Sequence, residues 1–477
     1  MKYRLLCSQV LLTLSASLFM GCGSSDSLDR VLKRGELIVV SRNGPATFYE
    51  DKGGPAGFEY ALSNLFAEKL GVRLRMEARH NIADILQSVR RGQADMAAAG
   101  LSITPMRMLE FRFSRPYADI QTQVIYVGGT FRPRKIEDLY NSRLVVLAHS
   151  SHAEALRDIQ TEHPDLQWQE IDNAEPPDLL DMVTSGAASY SLIDSNEFVA
   201  NRGFYPKLRI GFNIAPDAQL AWLFPGDEAN NRLLEKVDAF FEKIQADGTL
   251  EQLKEQHFGH AWGVAQVDSQ TFSRRMRNRL PKYENLLRTI ADEYQLDWHL
   301  LAAISYQESH WNPRARSPTG VRGLMMLTST TALEMNVSNR LDATQSLRGG
   351  ARYFKKIKRL LPTDIEDPDR TWFALAAYNI GRGHLEDARV ITERQGGDPD
   401  LWADVKKRLP LLQKSTYYRR TRHGYARGSE PVTYVKNIRH YYNILAWQDI
   451  SKNSPPAPIV VDQHLPEILK TSRLSAL

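Results

Sequence analysis

The pattern of hydrophobic residues changes halfway along the 477-residue chain, and this change restricts the folds that are open to it. Residues 28–127 alternate between short β-rich runs and amphipathic helical runs, beginning with 36–40, 57–70 and 72–76. Such alternation is typical of helices layered on a sheet. From residue 287 onward the apolar residues recur with helical spacing, and no run alternates as a strand would. We therefore predict a multidomain protein in which an α/β part precedes an all-α part.

The same patterns locate the remaining elements. In the first part they predict a helix at 81–91, strands at 144–147 and 190–193, and one or two closing helices over 230–255. In the second part they predict helices at 287–294, 298–306, 324–335, 347–357, 371–378 and 432–447. A polar, basic stretch at 265–279 is interpreted as the connection between the parts. The predicted domains are 23–266 and 267–450, with a leader at 1–22 and a proline-containing flexible tail at 451–477.

One carboxylate in the second part is placed for acid chemistry. Leu301, Ile304 and Glu308 lie at i, i+3 and i+7, so they share a helical face that is otherwise apolar. Apolar surroundings favour the neutral carboxyl and raise its pKa, which suits a general acid near neutral pH. The Asn312-Pro313 pair is expected to end this helix, because the residue before proline avoids the helical region. The alternative is an ordinary solvated glutamate at a helix end.

Further motifs follow Glu308-Ser309 along the chain. They are Gly323-Leu324-Met325-Met326, Ala376-Ala377-Tyr378-Asn379-Ile380-Gly381 and Tyr434-Val435. In this order and spacing, over residues 270–447, they resemble the lytic transglycosylases of the soluble-lytic-transglycosylase type, which have a goose-type lysozyme fold. The resemblance therefore implies an all-α, lysozyme-like domain. The chain departs from the family at Met326, where glutamine is usual, and this affects one expected hydrogen bond to substrate.

The resemblance also implies a reaction on peptidoglycan. Most glycosidases need two carboxylates, whereas this family uses one glutamate, which Glu308 matches. It protonates the oxygen between N-acetylmuramic acid and N-acetylglucosamine, then accepts the proton of the muramic acid's C6 hydroxyl as a 1,6-anhydro ring closes. No cofactor and no metal is implied. The residues implied in substrate binding are Ser309, Met325, Met326, Tyr378, Asn379 and Tyr434.

Two alternatives remain open from the sequence. One is a hydrolase of the same fold, a goose-type lysozyme that uses water as its nucleophile. The other is an envelope sensor that binds wall material without cleaving it, although the intact Glu308-Ser309 pair argues against that.

The first part carries motifs of a different family. They are 32–37 (LKRGEL), 100–107 (GLSITPMR), 113–117 (FSRPY) and 248–250 (GTL). Over residues 28–260 they resemble the family 3 bacterial solute-binding proteins, periplasmic receptors for amino acids. The resemblance implies two α/β lobes that close on a ligand, with the second lobe at 129–221.

The same resemblance implies a set of ligand-binding residues. Arg107 would bind the ligand α-carboxylate with its guanidinium fork, and Asp194 would receive the α-amino group. Phe48 or Tyr49 would pack on the ligand. The alternative for Arg107 is a surface salt bridge. Peptides released from the cell wall are the expected ligands, since they carry free carboxylates and are produced nearby.

The N-terminus indicates export. Lys2 and Arg4 precede an apolar run that is typical of a signal peptide and too mixed for a spanning helix. Residues 18–22 (LFMGC) resemble a bacterial lipoprotein cleavage box, which would make Cys22 the lipid acceptor; ordinary signal cleavage is the alternative. Because Gly23 rather than aspartate follows, we expect the outer membrane. The only other cysteine is Cys7, so no disulfide is expected in the mature chain.

Charge is distributed unevenly along the chain. Residues 23–266 have a net charge of −8 and residues 267–477 a net charge of +11. In an exported protein the basic half favours an anionic wall polymer, such as glycan strands with carboxylate-bearing peptides, over nucleic acid. A basic, aromatic loop at 415–431 is interpreted as a glycan-binding rim. Solvated helix faces and an ordinary exposed loop are the alternatives.

Overall fold

The computed structural model describes residues 26–51, 54–226, 231–259, 266–317 and 320–453. The chain divides into two compact units after residue 262. No helix within the described ranges is long and apolar enough to cross a membrane. The predicted leader with Cys22, and the tail from residue 454 onward, lie outside the described residues.

The first unit contains strands and helices in alternation, as predicted. Its strands are β1 Glu36–Arg42, β2 Tyr49–Asp51, β3 Gly54–Ala56, β4 Arg73–Arg79, β5 Met96–Ser102, β6 Phe111–Phe113, β7 Ala118–Ile120, β8 Thr122–Val127, β9 Leu144–Leu147, β10 Gln169–Ile171, β11 Tyr190–Asp194, β12 Leu208–Asn213 and β13 Ala218–Pro225. Its helices are α1 Ser27–Arg34, α2 Phe58–Leu70, α3 Ile82–Arg90, α4 Pro105–Met108, α5 Ser151–Gln160, α6 Pro176–Ser185, α7 Ser195–Asn201, α8 Asn231–Ala246 and α9 Thr249–Phe258.

Local chemistry accounts for several of these boundaries. Asn81 accepts the backbone N–H of Asp84 at 2.7 Å, which caps the start of α3. Gly35 and Gly71 end α1 and α2 with φ of 68° and 74°, a left-handed conformation that glycine adopts without a Cβ penalty.

Two separate sheets give this unit two lobes. One sheet has the order β4-β1-β5-β13-β6, with β7 paired to β13, and the other has the order β10-β9-β11-β8-β12. The two-lobed α/β architecture is therefore confirmed. The predicted bounds of the second lobe, 129–221, are wrong, because β8 already belongs to the second sheet and β13 has returned to the first. The chain crosses between lobes directly after β7 and again between β12 and β13.

The second unit is built from helices, which confirms the all-α prediction for the part of the chain that is described. They are α10 Gln266–Asn278, α11 Glu284–Tyr294, α12 Trp298–Ser309, α13 Ser329–Glu334, α14 Ala343–Leu360, α15 Asp369–Ile380, α16 Arg382–Arg394, α17 Trp402–Arg408, α18 Ser415–Tyr418 and α19 Ser429–Asn453. α12 lies at the centre, where it packs against α11 and α19.

Two predictions in this unit are wrong in detail. The stretch 265–279 is largely helix α10, and its Phe272 is fully buried against Tyr306 and Tyr441, with ring centroids at 4.6 and 4.7 Å. The polar composition of this stretch suggested a connection between domains, but burial of the Phe272 ring stabilises a helix there. The predicted helix at 324–335 is a turn over its first residues and becomes helical only in α13.

Candidate active site

α12 brings Glu308 to the surface from a buried helix. Asp297 caps its start by accepting the N–H of His299 at 2.8 Å. Leu301 and Ile304 are 1% and 0% exposed, so the predicted shared face of the helix is its core face. The helix ends at Ser309, three residues before the Asn312 expected from the proline rule.

Backbone conformation ends α12 early. His310 and Trp311 both have positive φ, 52° and 53°, which is incompatible with continued right-handed helix. The buried Trp311 ring folds back, and its Nε1 donates to the carbonyl of Ala302 at 3.0 Å. This contact, together with the packing of Tyr306 against Trp311 at 4.7 Å, holds the end of the helix in place.

Glu308 has the environment of a neutral carboxylic acid. The residue is partly exposed, which leaves it accessible to a substrate, while protein surrounds its carboxyl group. Burial raises the pKa of Glu308 from 4.5 to about 7, and a hydrogen bond from Tyr434, whose Oη donates to Oε1 at 2.6 Å, pulls it the other way. Among the described residues no charged group contributes to this pKa. The group can therefore hold a proton near neutral pH, as the sequence predicted.

Three tyrosines line the same region. The rings of Tyr378 and Tyr434 are stacked at 6.5 Å with an interplanar angle of 12°, and Tyr353 meets Tyr378 edge-on at 5.3 Å. Burial, reinforced by the charge of nearby Glu308, raises the pKa of Tyr378 and Tyr434 well above 10. Both hydroxyls are therefore neutral hydrogen-bond donors at any working pH.

A tight turn places Met325 and Met326 beside these rings. The hydroxyl of Tyr378 donates to the carbonyl of Met325 at 3.1 Å, and the N–H of Met325 donates to Ser346 Oγ at 3.1 Å. Gly323 has φ of 87°, and a Cβ there would lie 1.8 Å from the carbonyl oxygen of Arg340. The Gly-Leu-Met motif therefore serves a backbone turn that only glycine can start.

The other sequence-predicted residues differ in their surroundings. Ser309 is buried and its Oγ donates to the carbonyl of Ser305 at 3.0 Å. Met325 is fully buried, whereas Met326 is half-buried with φ of 45°. Asn379 is exposed in the last turn of α15, and its side chain makes no hydrogen bond to any described residue.

The sequence prediction missed Tyr353 and Ser346, both on α14. Gly350, Tyr353 and Ile357 follow at i, i+3 and i+7, so they lie on one face of the helix. That spacing was available in the sequence, but none of the motifs on which the resemblance was based lies on this helix.

In the first unit two of the predicted ligand residues, Arg107 and Asp194, line a cavity between the two lobes and already have partners. Arg107 is 4% exposed and donates to the carbonyls of Ser102 at 2.9 Å and His149 at 3.2 Å. Its Nε is buried without a hydrogen bond, and the carboxylate of Glu154 lies 3.8 Å away. Arg107 is therefore a buried group between the lobes and not part of a surface salt bridge.

Asp194, on the opposite lobe, hydrogen-bonds to His152 Nε2 at 2.8 Å. The cavity that Arg107 and Asp194 line measures only about 30 Å³, room for about one water molecule. Phe48 is buried against Tyr60 with ring centroids at 6.0 Å, and Tyr49 begins β2.

A buried ion pair that the sequence did not reveal joins the lobes. Arg42, at the end of β1, contacts Glu197 on α7 at 2.7 Å, and both side chains are less than a tenth exposed. Arg42 also donates to the carbonyl of Ala99 at 2.9 Å. The Arg42–Glu197 pair therefore holds the two lobes together with charges that the protein itself supplies. Within the described ranges no cluster of three or more histidine, cysteine, aspartate or glutamate side chains is placed to hold a metal ion.

Two family models match the chain. Bacterial extracellular solute-binding proteins, family 3, matches residues 37–260, and the transglycosylase SLT domain matches residues 285–400. A solved structure similar to the first unit is an L-arginine-bound substrate-binding protein of an amino acid ABC transporter from Streptococcus pneumoniae. It is 22% identical, covers 49% of this chain and 98% of that chain, and has a TM-score of 0.45.

Curated relatives match both units together. A Saccharophagus degradans protein is 48% identical over 424 residues, which cover 89% of this chain and 84% of that protein. A Stutzerimonas stutzeri protein is 45% identical over 478 residues, which cover 100% and 98%. Each is named membrane-bound lytic murein transglycosylase F.

Proposed function

The chain belongs to the membrane-bound lytic murein transglycosylase F family, and from this premise we propose that Glu308 is the acid of its reaction. The protein is a lytic transglycosylase that acts on peptidoglycan. The observation that carries the assignment of Glu308 is its enclosed carboxyl group, whose pKa of about 7 keeps a proton available near neutral pH. We assign the catalytic domain to residues 267–450 and the solute-binding domain to residues 23–266.

In the first step Glu308 donates its proton to the oxygen that links N-acetylmuramic acid to N-acetylglucosamine. The bond from that oxygen to C1 of the muramic acid breaks, and the N-acetylglucosamine leaves as an alcohol. Positive charge develops at C1, where the carbonyl oxygen of the substrate's own N-acetyl group stabilises it. Glu308 is left as a carboxylate, to which Tyr434 donates a hydrogen bond.

In the second step the Glu308 carboxylate acts as the base. It accepts the proton of the muramic acid's C6 hydroxyl while that oxygen bonds to C1 and closes the 1,6-anhydro ring. The glutamate regains its proton and no water is consumed. These two steps require only one carboxyl group. This agrees with the pKa of Glu308, to which no second charged group among the described residues contributes.

The surrounding residues have distinct proposed roles. Tyr434 orients the Glu308 carboxyl group and lines the cleft, and Tyr378 fixes the turn at Met325 through its hydroxyl. Met326 and Asn379 are more exposed, and we propose that they contact the sugar. Ser309 steadies the end of α12.

Mass spectrometry of the products from purified sacculi tests this mechanism. Anhydromuramoyl ends, one water lighter than reducing ends, are expected. Reducing ends instead would indicate a lysozyme-like hydrolase, and intact sacculi would indicate a binding protein without catalysis.

Tyr434→Phe is expected to move the alkaline limb of the kcat/KM profile to higher pH. The acid must be protonated, so activity of the wild type falls as pH rises through about 7. The tyrosine hydroxyl favours the charged carboxylate, and its loss raises the pKa of Glu308 by about one pH unit. The measurement is kcat/KM on soluble glycan fragments between pH 5 and 9. Tyr353→Phe is the control, since no hydrogen bond joins Tyr353 to Glu308; a limb that does not move in Tyr434→Phe would contradict the assignment.

The family name implies attachment to a membrane, and we propose that it runs through a lipid on Cys22 at the outer membrane. Cys22→Ala is therefore expected to move most of the protein from the membrane pellet to the supernatant, because a lipid anchor is lost. Fractionation after a high-salt wash, with outer and inner membranes separated by density, measures this. Cys7→Ala is the matched control and is expected to stay in the pellet. A Cys22→Ala protein that also remains there would rule out the anchor.

A further inference from the structure

One face of α14 is strongly basic. The helix contains six lysine and arginine residues and no aspartate or glutamate. Arg352, Lys355, Lys356 and Arg359 follow at i, i+3, i+4 and i+7, so they form a stripe along one side. The helix dipole favours basic residues in the last turn only. Arg352 lies two turns before the end of the helix at Leu360, so the stripe needs another explanation.

The stripe forms one wall of a groove of about 750 Å³. The groove is lined by Glu293, Tyr294, Gln295, Leu296, Met335, Arg352, Lys355, Lys356, Lys358, Arg359 and Arg370. Its volume is in the range of sites that hold small molecules or short peptides. A concave basic groove of this size fits a narrow anionic chain better than it fits a flat anionic surface.

Acidic neighbours neutralise only part of this charge. Lys356 pairs with Glu334, and Lys358 pairs with Asp367 at 2.8 Å. Glu293, the acidic residue that lines the groove, already binds Arg348 at 2.9 Å. No ion pair within the described ranges joins Arg352, Lys355, Arg359 or Arg370 to a carboxylate. Four positive charges therefore remain.

Neutral groups hold three of these charges in position. The guanidinium of Arg370 donates to the carbonyls of Lys358, Leu361, Pro362 and Ile365. Arg352 donates to the carbonyl of Met335 at 2.6 Å and to Tyr294 Oη at 3.0 Å. Lys355 donates to the carbonyl of Tyr294 at 2.9 Å. Carbonyls orient a cation without cancelling its charge, and a guanidinium has five N–H donors, so Arg352 keeps donors for a ligand. The groove presents preorganised donors for carboxylates.

We propose that this groove binds the carboxylates of the peptides that peptidoglycan glycan strands carry. The proposal rests on the proposed function, because the substrate brings these peptides to the catalytic unit. Arg370, in the groove, and Tyr378, beside Glu308, are eight residues apart on α15, which is roughly 12 Å along the helix. An extended peptide of four residues spans roughly 13 Å. A four-residue peptide on a sugar bound near Glu308 is therefore long enough to span this separation along α15.

The test compares two substrates of the full-length protein. Lys355→Gln combined with Arg359→Gln removes two exposed charges and is expected to raise KM on peptide-bearing sacculi about fivefold, with kcat unchanged. On glycan strands stripped of peptides by an amidase, KM is expected to equal that of the wild type. Arg274→Gln combined with Arg394→Gln is the matched control. Both side chains are exposed and lie outside the groove, and together they carry the same charge as Lys355 and Arg359.

Each other outcome contradicts a specific claim. An unchanged KM on sacculi, or equal increases on both substrates, would overturn the peptide groove. A loss of binding to vesicles of anionic phospholipid, without a change on sacculi, would make the groove a lipid-binding surface. A wild-type protein that releases no anhydro product from either substrate would instead refute the proposed function.

Discussion

Replacing Glu308 with glutamine is expected to lower kcat on peptidoglycan by about a thousandfold. The amide keeps the size of the side chain and can still accept the hydrogen bond from Tyr434. It has no acidic proton for the glycosidic oxygen, and it cannot then act as the base that accepts the C6 hydroxyl proton. Both steps fail together. The release of anhydro products from sacculi, followed by mass spectrometry, measures the loss.

The matched control is Glu393→Gln. Glu393 is exposed in the last turns of α16 and its side chain makes no ion pair with a described residue. The substitution makes the same chemical change in the same unit, and activity is expected to be unchanged. Near-normal turnover by a folded Glu308→Gln protein would refute the catalytic assignment.

The stability of Glu308→Gln gives an independent check on the buried carboxyl. Burial raises the pKa of Glu308 from 4.5 to about 7. Below pH 4.5 the group is protonated in both the folded and unfolded states, so it adds no pH dependence. Between pH 4.5 and 7 only the unfolded state ionises, and folding is weakened by on the order of 3 kcal/mol by pH 8. The glutamine variant escapes this loss, so its advantage in urea unfolding is expected at pH 8 and not at pH 4.5.

Short-range patterns predicted the catalytic helix well. Leu301, Ile304 and Glu308 lie within two turns, so helical periodicity alone determines which of them face the same way. The sequence likewise located four of the thirteen strands described in the first unit, among them 144–147, which is buried on both faces. These elements could be predicted because their own residues determine them.

Features that join distant parts of the chain could not be derived from local pattern. Tyr434 is 126 residues from the glutamate that it contacts, and only the family resemblance placed them together. The Arg42–Glu197 pair spans 155 residues and belongs to no motif, so it was missed. The wrong lobe boundary at 129 has a similar origin, because whether β8 pairs with β11 or with β13 is settled only when the sheets form.

The cavity that Arg107 and Asp194 line must widen before a ligand reaches these two side chains. Its volume of about 30 Å³ is far smaller than an amino acid, and a second cavity of about 370 Å³, lined by residues of both lobes, does not include them. Arg107 contacts the carbonyl of His149 across the cleft, and Arg42 contacts Glu197. These contacts stabilise the closed, empty state of the two lobes. A ligand shifts the lobes apart only if the free energy of its binding to the open or reclosed state exceeds the free energy of these contacts. We propose that the ligand does so by offering Arg107 a carboxylate of its own.

Arg107→Ala is accordingly expected to weaken binding of a synthetic wall tetrapeptide to the full-length protein by about a hundredfold, because a buried carboxylate would lose its charged partner. Isothermal titration calorimetry measures the affinity. Arg115→Ala is the control, since that side chain is 46% exposed in the same unit and should not affect binding. If the peptide tightens the binding of sacculi, linkage requires that sacculi tighten peptide binding by the same factor. Equal affinities for the wild type and Arg107→Ala, or no binding by either, would exclude Arg107 as the carboxylate site.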